Sequence, residues 1–142
     1  MGDMAAELRG IAQRGQDLGE VFWRAAQMFR EAAADHFDTQ GSGSWARWSD
    51  SYAARGVAQQ LLVKSGELRE SWVSRGHQQN VSRVDRVSLD VGSKRPTGTL
   101  HRTGASSMPV RDPMPPVEAF EPSWIDGMHA YLSRQDKGRF GL

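Results

Sequence analysis

Four histidines, His36, His77, His101 and His129, and 17 Asp or Glu residues are what this 142-residue chain offers for acid–base or metal chemistry. None of the histidines falls in an H-x-x-x-H or H-E-x-x-H register, the spacing by which a helix presents two imidazoles to one zinc ion. His101 with Arg102 and Arg111 has the residue types of a phosphodiester-cleaving set, yet no acidic pair lies near enough in sequence to hold magnesium. Ser65 and Ser71 lack the G-x-S-x-G elbow that activates a serine nucleophile. With zero cysteines there is no disulfide, no thiolate metal site and no thiol nucleophile. The expectation is a chain without catalytic residues, metal or cofactor.

The formal charge of +1 conceals an uneven distribution. Residues 1–40 carry four Arg against seven Asp or Glu, residues 41–111 carry 11 Lys or Arg against five acids, and residues 112–142 carry three against five. A basic middle between mildly acidic ends suits a polyanion or an acidic protein surface. Arg75, Arg83, Arg86, Lys94 and Arg95 are the candidate DNA-facing residues, although no aromatic residue is interleaved with them. No stretch approaches the roughly 20 apolar residues of a membrane span, and Met1-Gly2-Asp3-Met4 lacks a basic-then-apolar leader pattern, so a cytoplasmic protein without a membrane partner is expected.

The length fits one domain able to bury roughly 70% of its unfolded surface. Residues 1–38 read as one long helix, in which Leu18, Val21, Phe22, Ala25, Phe29, Ala32 and His36 share a face. Gly10, Gly15 and Gly19 each cost about 1 kcal/mol there, so the first turns are expected to fray or separate, and those before Leu18 to reach a neighbouring molecule. Residues 39–111 read as a helix-plus-sheet core with basic loops. Ser49 is the expected cap of a short helix through Tyr52, and Ser65 the cap of another in which Leu68 and Trp72 share a face. Val87, Leu89 and Val91 alternate with Ser88 and Asp90 as in a half-buried strand, and residues 72–75 are its expected antiparallel partner. Ser93 to Gly98 is an expected mobile loop, and the prolines between Met108 and Pro116 allow only extended or turning chain. Residues 112–142 complete the chain with a helix capped by Ser123, whose apolar side is Trp124, Ile125, Met128 and Leu132. The predicted fold class is α+β, a long N-terminal helix, short helices and a C-terminal helix on a small antiparallel sheet. Trp45, Trp48, Leu68, Trp72, Val87, Leu89 and Val91 are its predicted core, the tryptophans being taken as anchors rather than as a stacking platform.

The order of these motifs carries a resemblance. The segment "GSWARWSDSY", then "LLVKSGELRESW", a strand ending in "DVGS", His101-Arg102-Thr103-Gly104 and Met108-Pro109-Val110-Arg111-Asp112-Pro113 lie between two helices. This resembles the virion-morphogenesis and tail-completion proteins of tailed bacteriophages, in which a Trp, a TGxLRxS element, a "vG" strand end, an H-x-x-G turn and an (I/M)PxRP turn occur in that order. Trp45, Leu62, Gly66, Leu68, Arg69, Ser71, Gly92, His101, Gly104, Pro109 and Arg111 occupy the matching positions, across nearly the whole chain. Thr99-Leu100 stands where an aromatic-Ala pair usually precedes the His turn, and Asp112 separates Arg111 from Pro113. The resemblance implies a non-enzymatic structural protein of the virion neck, assembled in the host cytoplasm. It implies a homo-oligomeric ring of sixfold order between head-closure and tail-terminator or tail-tube proteins, around packaged DNA. Lys94, Arg95, His101, Met108 and Arg111 are the expected assembly residues, with Arg111 either pairing with Glu20 or Glu31 of the next subunit or fixing its own turn. The alternative from the residues alone is a small basic nucleic-acid-binding module.

Overall fold

The apolar stripe of the N-terminal 38 residues is interrupted, and the structure shows why. This computed structural model describes residues 2–47, 49–56, 66–104 and 109–133; Trp48, Leu62, Ser65 and Met108, singled out above, lie outside them. Helix α1 (Gly2–Gln16) stops, and α2 (Gly19–Asp38) starts on a new axis segment after Asp17-Leu18. The Asp17 carboxylate accepts the Gly19 N–H at 3.0 Å, doing for α2 what an N-cap residue does for orphan helix donors. Two distant groups hold the break: the Leu18 N–H donates to Arg86 O at 2.7 Å and the Tyr131 hydroxyl to Asp17 O at 2.7 Å. The single long helix expected is therefore two. The segment before Leu18 is docked on its own chain through Arg14, whose Nε and Nη2 donate to Leu132 O at 3.3 and 3.0 Å.

Along α2 the buried residues are Val21, Ala25, Ala26, Phe29, Ala33 and Phe37, the anticipated face turned slightly so that Phe22, Ala32 and His36 sit at its edge. After Thr39 the chain reverses through Gln40 and Gly41, both at positive φ. Gly41 is required twice over: its φ is +67°, and a Cβ there would stand 2.5 Å from Trp45 Cδ1. The turn lays Trp45 edge-on against His36 and Phe37, with ring centroids 5.1 and 5.5 Å apart. Ser49 caps the short helix α3 (Asp50–Ala53) as expected, its Oγ accepting from the Tyr52 N–H.

Helix α4 (Glu67–Val73) buries Leu68, Ser71 and Trp72, its N-cap being Gly66 at φ +83° without a side-chain capping bond. Trp72 and Val73 thus finish a helix and are not strand. The partner strand is β1 (Asn80–Val84), antiparallel to β2 (Leu89–Ser93), with Ser82 opposite Val91 and Val84 opposite Leu89. The alternation of Val87, Leu89 and Val91 has the correct parity, but the Asp85 N–H to Ser88 O bond closes the hairpin before Leu89, leaving Val87 in the turn and 68% exposed. Val87 is not core. Leu89 is half-buried, and Val91 packs against the cluster of Phe29, Ala33, Phe37, Trp45, Leu68, Trp72 and Phe120.

A further correction concerns residues 93–98. Pro96 opens helix α5 (Pro96–Thr103), a residue pre-set for the first helical turn, and Gly104 at φ +69° closes it. Gly98 is buried because α5 lies so close to the core that a Cβ there would be 3.5 Å from Trp72 Nε1 and 3.6 Å from Leu68 Cδ1. The proline segment runs extended as its composition requires, with Pro113 and Pro115 fully buried. A 3-10 turn (Val117–Ala119) leads to α6 (Glu121–Leu132), where Phe120 and not Ser123 occupies the cap position and Pro122 lies in the first turn. Trp124 packs at a tilt against Phe120 with ring centroids 4.6 Å apart, Met128 and Leu132 are half-buried, and Ile125 is exposed. The architecture is α+β, helices packed on one two-stranded antiparallel sheet.

Candidate assembly and polyanion-contact surfaces

Of the five residues expected to form an assembly surface, four are described, and two of them, Arg111 and Arg95, are tied inward. Arg111 is buried: its Nε donates to Ala46 O at 2.5 Å and its Nη2 to Arg47 O at 2.9 Å, while its own N–H donates to His101 O at 2.9 Å. It fixes its own turn, one of the two roles expected of it. Arg95 is also tied inward, donating to Gln79 Oε1 at 2.7 Å and standing 3.8 Å from Glu67 Oε2. Lys94 is exposed, and its N–H extends the hairpin ladder to Gln79 O. Met108 lies outside the described residues.

His101 sits half-buried in α5, and its Nδ1 is enclosed without a hydrogen-bond partner among the described residues. Burial, and secondarily the Arg111 charge, push the imidazole below its usual value. The folded chain then binds this proton less readily than the unfolded chain. Its contribution to stability is complete above the usual histidine range near pH 6.5 and is lost as the pH falls below it. Between pH 7 and 5 the melting temperature should fall, and His101→Gln should flatten that fall. Equal slopes for the two proteins would show that His101 titrates as an exposed imidazole.

The candidate DNA-facing residues fare differently. Arg83 and Arg86 have side chains 80% and 69% exposed, with only distant carboxylates, Asp90 at 3.8 Å and Asp17 at 4.0 Å. Such surface pairs contribute about 1 kcal/mol or less, so both cations remain available. Arg75 lies with its guanidinium carbon 4.2 Å from the ring centroid of Trp23, which is 40% exposed. An aromatic residue therefore does accompany the basic set, brought from α2, more than 50 positions away. Beside it Arg30 donates through Nη1 to Ser82 Oγ at 3.0 Å, and that hydroxyl donates onward to Asn80 Oδ1 at 2.8 Å. Burial and the neighbouring Arg75 charge both lower the Arg30 guanidinium, with Glu31 opposing. Neither Arg30 nor Arg75 has a carboxylate within ion-pair distance among the described residues. The missed signal was Trp23, a tryptophan two positions from Val21 and so off the apolar stripe of α2.

Two apolar features complete the surface. Met4, Leu8 and Ile11 of α1 are 69%, 60% and 39% exposed and follow a four-then-three spacing. At about 100° per residue they lie roughly 100° around the helix from the face holding Gly10 and Arg14. An open groove of about 500 Å³ between α2, β2 and α6 is lined by Val21, Phe22, Leu89, Val91, Trp124 and Met128. Among the described residues no group of three or more His, Asp or Glu is placed to hold a metal, and no helix is long and apolar enough to cross a membrane. No protein-family model, curated protein or solved structure matches the chain.

Proposed function

We propose that this chain is a structural subunit of the head–tail junction of a tailed bacteriophage, a neck or tail-completion component that assembles with copies of itself into a ring of sixfold order. The order of motifs from Trp45 to Pro113 suggests the family, and the observation that carries assembly is the exposed stripe Met4-Leu8-Ile11. An apolar ridge of this kind on a small domain marks an interaction surface. The α2–β2–α6 groove lies on other elements of the same chain. Ridge into groove is a head-to-tail contact, and such contacts generate rings when the rotation between copies closes. The area one short helix face covers is below the roughly 800 Å² per partner of a standard stable interface, so the free subunit should be monomeric or weakly associated. Neighbouring head-closure and tail rings would then stabilise the closed form.

Leu8→Glu tests this directly. Leu8 is exposed, so the change should alter stability by no more than about 0.5 kcal/mol. In particle-assembly complementation it should leave unjoined heads and tails, and removal of residues 2–16 should do the same while leaving the circular dichroism of the remaining helices and sheet. Normal joining by Leu8→Glu would remove α1 from the interface. Absence of the wild-type chain from purified virions would overturn the neck assignment itself.

A further inference from the structure

We infer that Trp23, Arg30 and Arg75 form a phosphodiester-binding site through which the chain contacts the backbone of duplex DNA without reading its sequence. The inference goes beyond ring assembly and does not require it, since the site lies within one copy.

Trp23 and Arg30 lie seven positions apart on one face of α2 and Arg75 stands on the Trp23 ring; the two guanidinium groups repel, Glu31 offsets only part of this, and the arrangement is relieved when an anion lies between them. The nearest acidic neighbour of Arg30, Glu31, accepts a hydrogen bond from Gln27 Nε2 at 3.2 Å. Each arginine is also oriented. Ser82 takes one N–H of Arg30, and a guanidinium carries five, so most of the fork remains for an oxyanion. The Trp23 ring holds the Arg75 guanidinium carbon 4.2 Å from its centroid, and an arginine so placed can make paired contacts to phosphate oxygens.

Further cations decide between a single phosphate and a polymer. Arg86 and Lys94 stand exposed along the same hairpin, whereas Arg83, adjacent to Ser82 in β1 and opposite Asp90, belongs to its other face. A five-residue strand extends roughly 17 Å, the axial length over which one strand of duplex DNA places about five phosphates. Two amides of the site are already engaged: the Asn80 amide donates to Ser71 O at 3.0 Å and its Oδ1 accepts from Ser82, while Gln27 is bound to Glu31. Contact through phosphates alone gives affinity and register but no sequence preference.

The test is equilibrium binding of the full chain to duplexes of two unrelated sequences, as salt is raised from about 50 to 200 mM. Four phosphate contacts, by Arg30, Arg75, Arg86 and Lys94, predict a slope of log K against log salt between about −3 and −4. Arg75→Ala and Arg30→Gln should each make the slope shallower by about one and weaken both duplexes equally; the glutamine retains a donor for Ser82. Arg24→Ala removes the same charge from the exposed side of α2 toward α6 and should leave the slope unchanged. Unchanged slopes for Arg75→Ala and Arg30→Gln, an equal loss for Arg24→Ala, or a preference between the two sequences would overturn the site. A loss on vesicles containing anionic phospholipid with none on DNA would overturn its assignment to nucleic acid.

Discussion

Trp72→Ala should lower the unfolding free energy by about 3–5 kcal/mol, the range for removing a large aromatic side chain from a packed core. Trp72 is 8% exposed, its ring centroid is 6.1 Å from that of Phe29, and two glycines, Gly92 and Gly98, let the chain pass close beside it. Its position explains the magnitude: α2, α4, the hairpin and α5 all meet on this one ring, so none can move in to refill the cavity without disturbing the others. Small domains are stable by about 5–15 kcal/mol, so the variant should sit near the edge of folding. Urea denaturation followed by circular dichroism gives the number, with an unchanged m-value showing that the same surface is exposed on unfolding. Val87→Ala is the contrast. Val87 belongs to the same apparent core pattern but is 68% exposed, and its loss should cost no more than about 0.5 kcal/mol. A Trp72→Ala cost below about 1 kcal/mol would place the ring at the surface and dissolve the packing scheme.

What could be read from the sequence was what periodicity and local capping encode. The face of α2, the Ser49 cap, the parity of β2 and the burial of Trp45, Leu68 and Trp72 all follow from neighbours within a few residues. The failures have a common physical cause. The break between α1 and α2 depends on Arg86 and Tyr131, which reach Leu18 and Asp17 from far along the chain. The strand at 80–84 has little local signal because "NVSRV" has only two apolar residues, and it exists by virtue of the ladder with β2. Helix α5 has no apolar stripe because its contact with the core is made through a glycine, the one residue hydropathy cannot mark. At the site, the exposed arginines of the hairpin were legible as charge. Their aromatic partner was not, because the Trp23–Arg75 contact joins a helix to a loop that the sequence keeps far apart.

Arg111 shows how one such long-range contact changes an expected phenotype. Taken as a surface cation, it would be replaceable without loss of fold; as observed, its guanidinium binds Ala46 O and Arg47 O and its N–H binds His101 O. These bonds fasten the proline segment to the chain after Trp45 and to α5. The Trp45 Nε1–H donating to Asp112 O at 3.2 Å, and His36 Nε2 at 2.8 Å from the same oxygen, close the same corner. Hydrogen bonds to a charged group contribute about 1.5–3 kcal/mol each, and some of that is recovered where water reaches the freed carbonyls, so Arg111→Met should destabilise by about 2–4 kcal/mol. Arg111→Lys should recover only part, because a single ammonium cannot reproduce the planar fork that spans two carbonyls. Arg111→Glu should be the most damaging of the three, placing a carboxylate against the carbonyl oxygens of Ala46 and Arg47, and a failure of particle assembly in that variant should be accompanied by unfolding. The order of chemical-denaturation midpoints, wild type above Lys, Lys above Met, Met above Glu, is the measurement. Arg111→Met with a wild-type midpoint would show that the two carbonyl contacts do not hold this corner and would return the guanidinium to the surface.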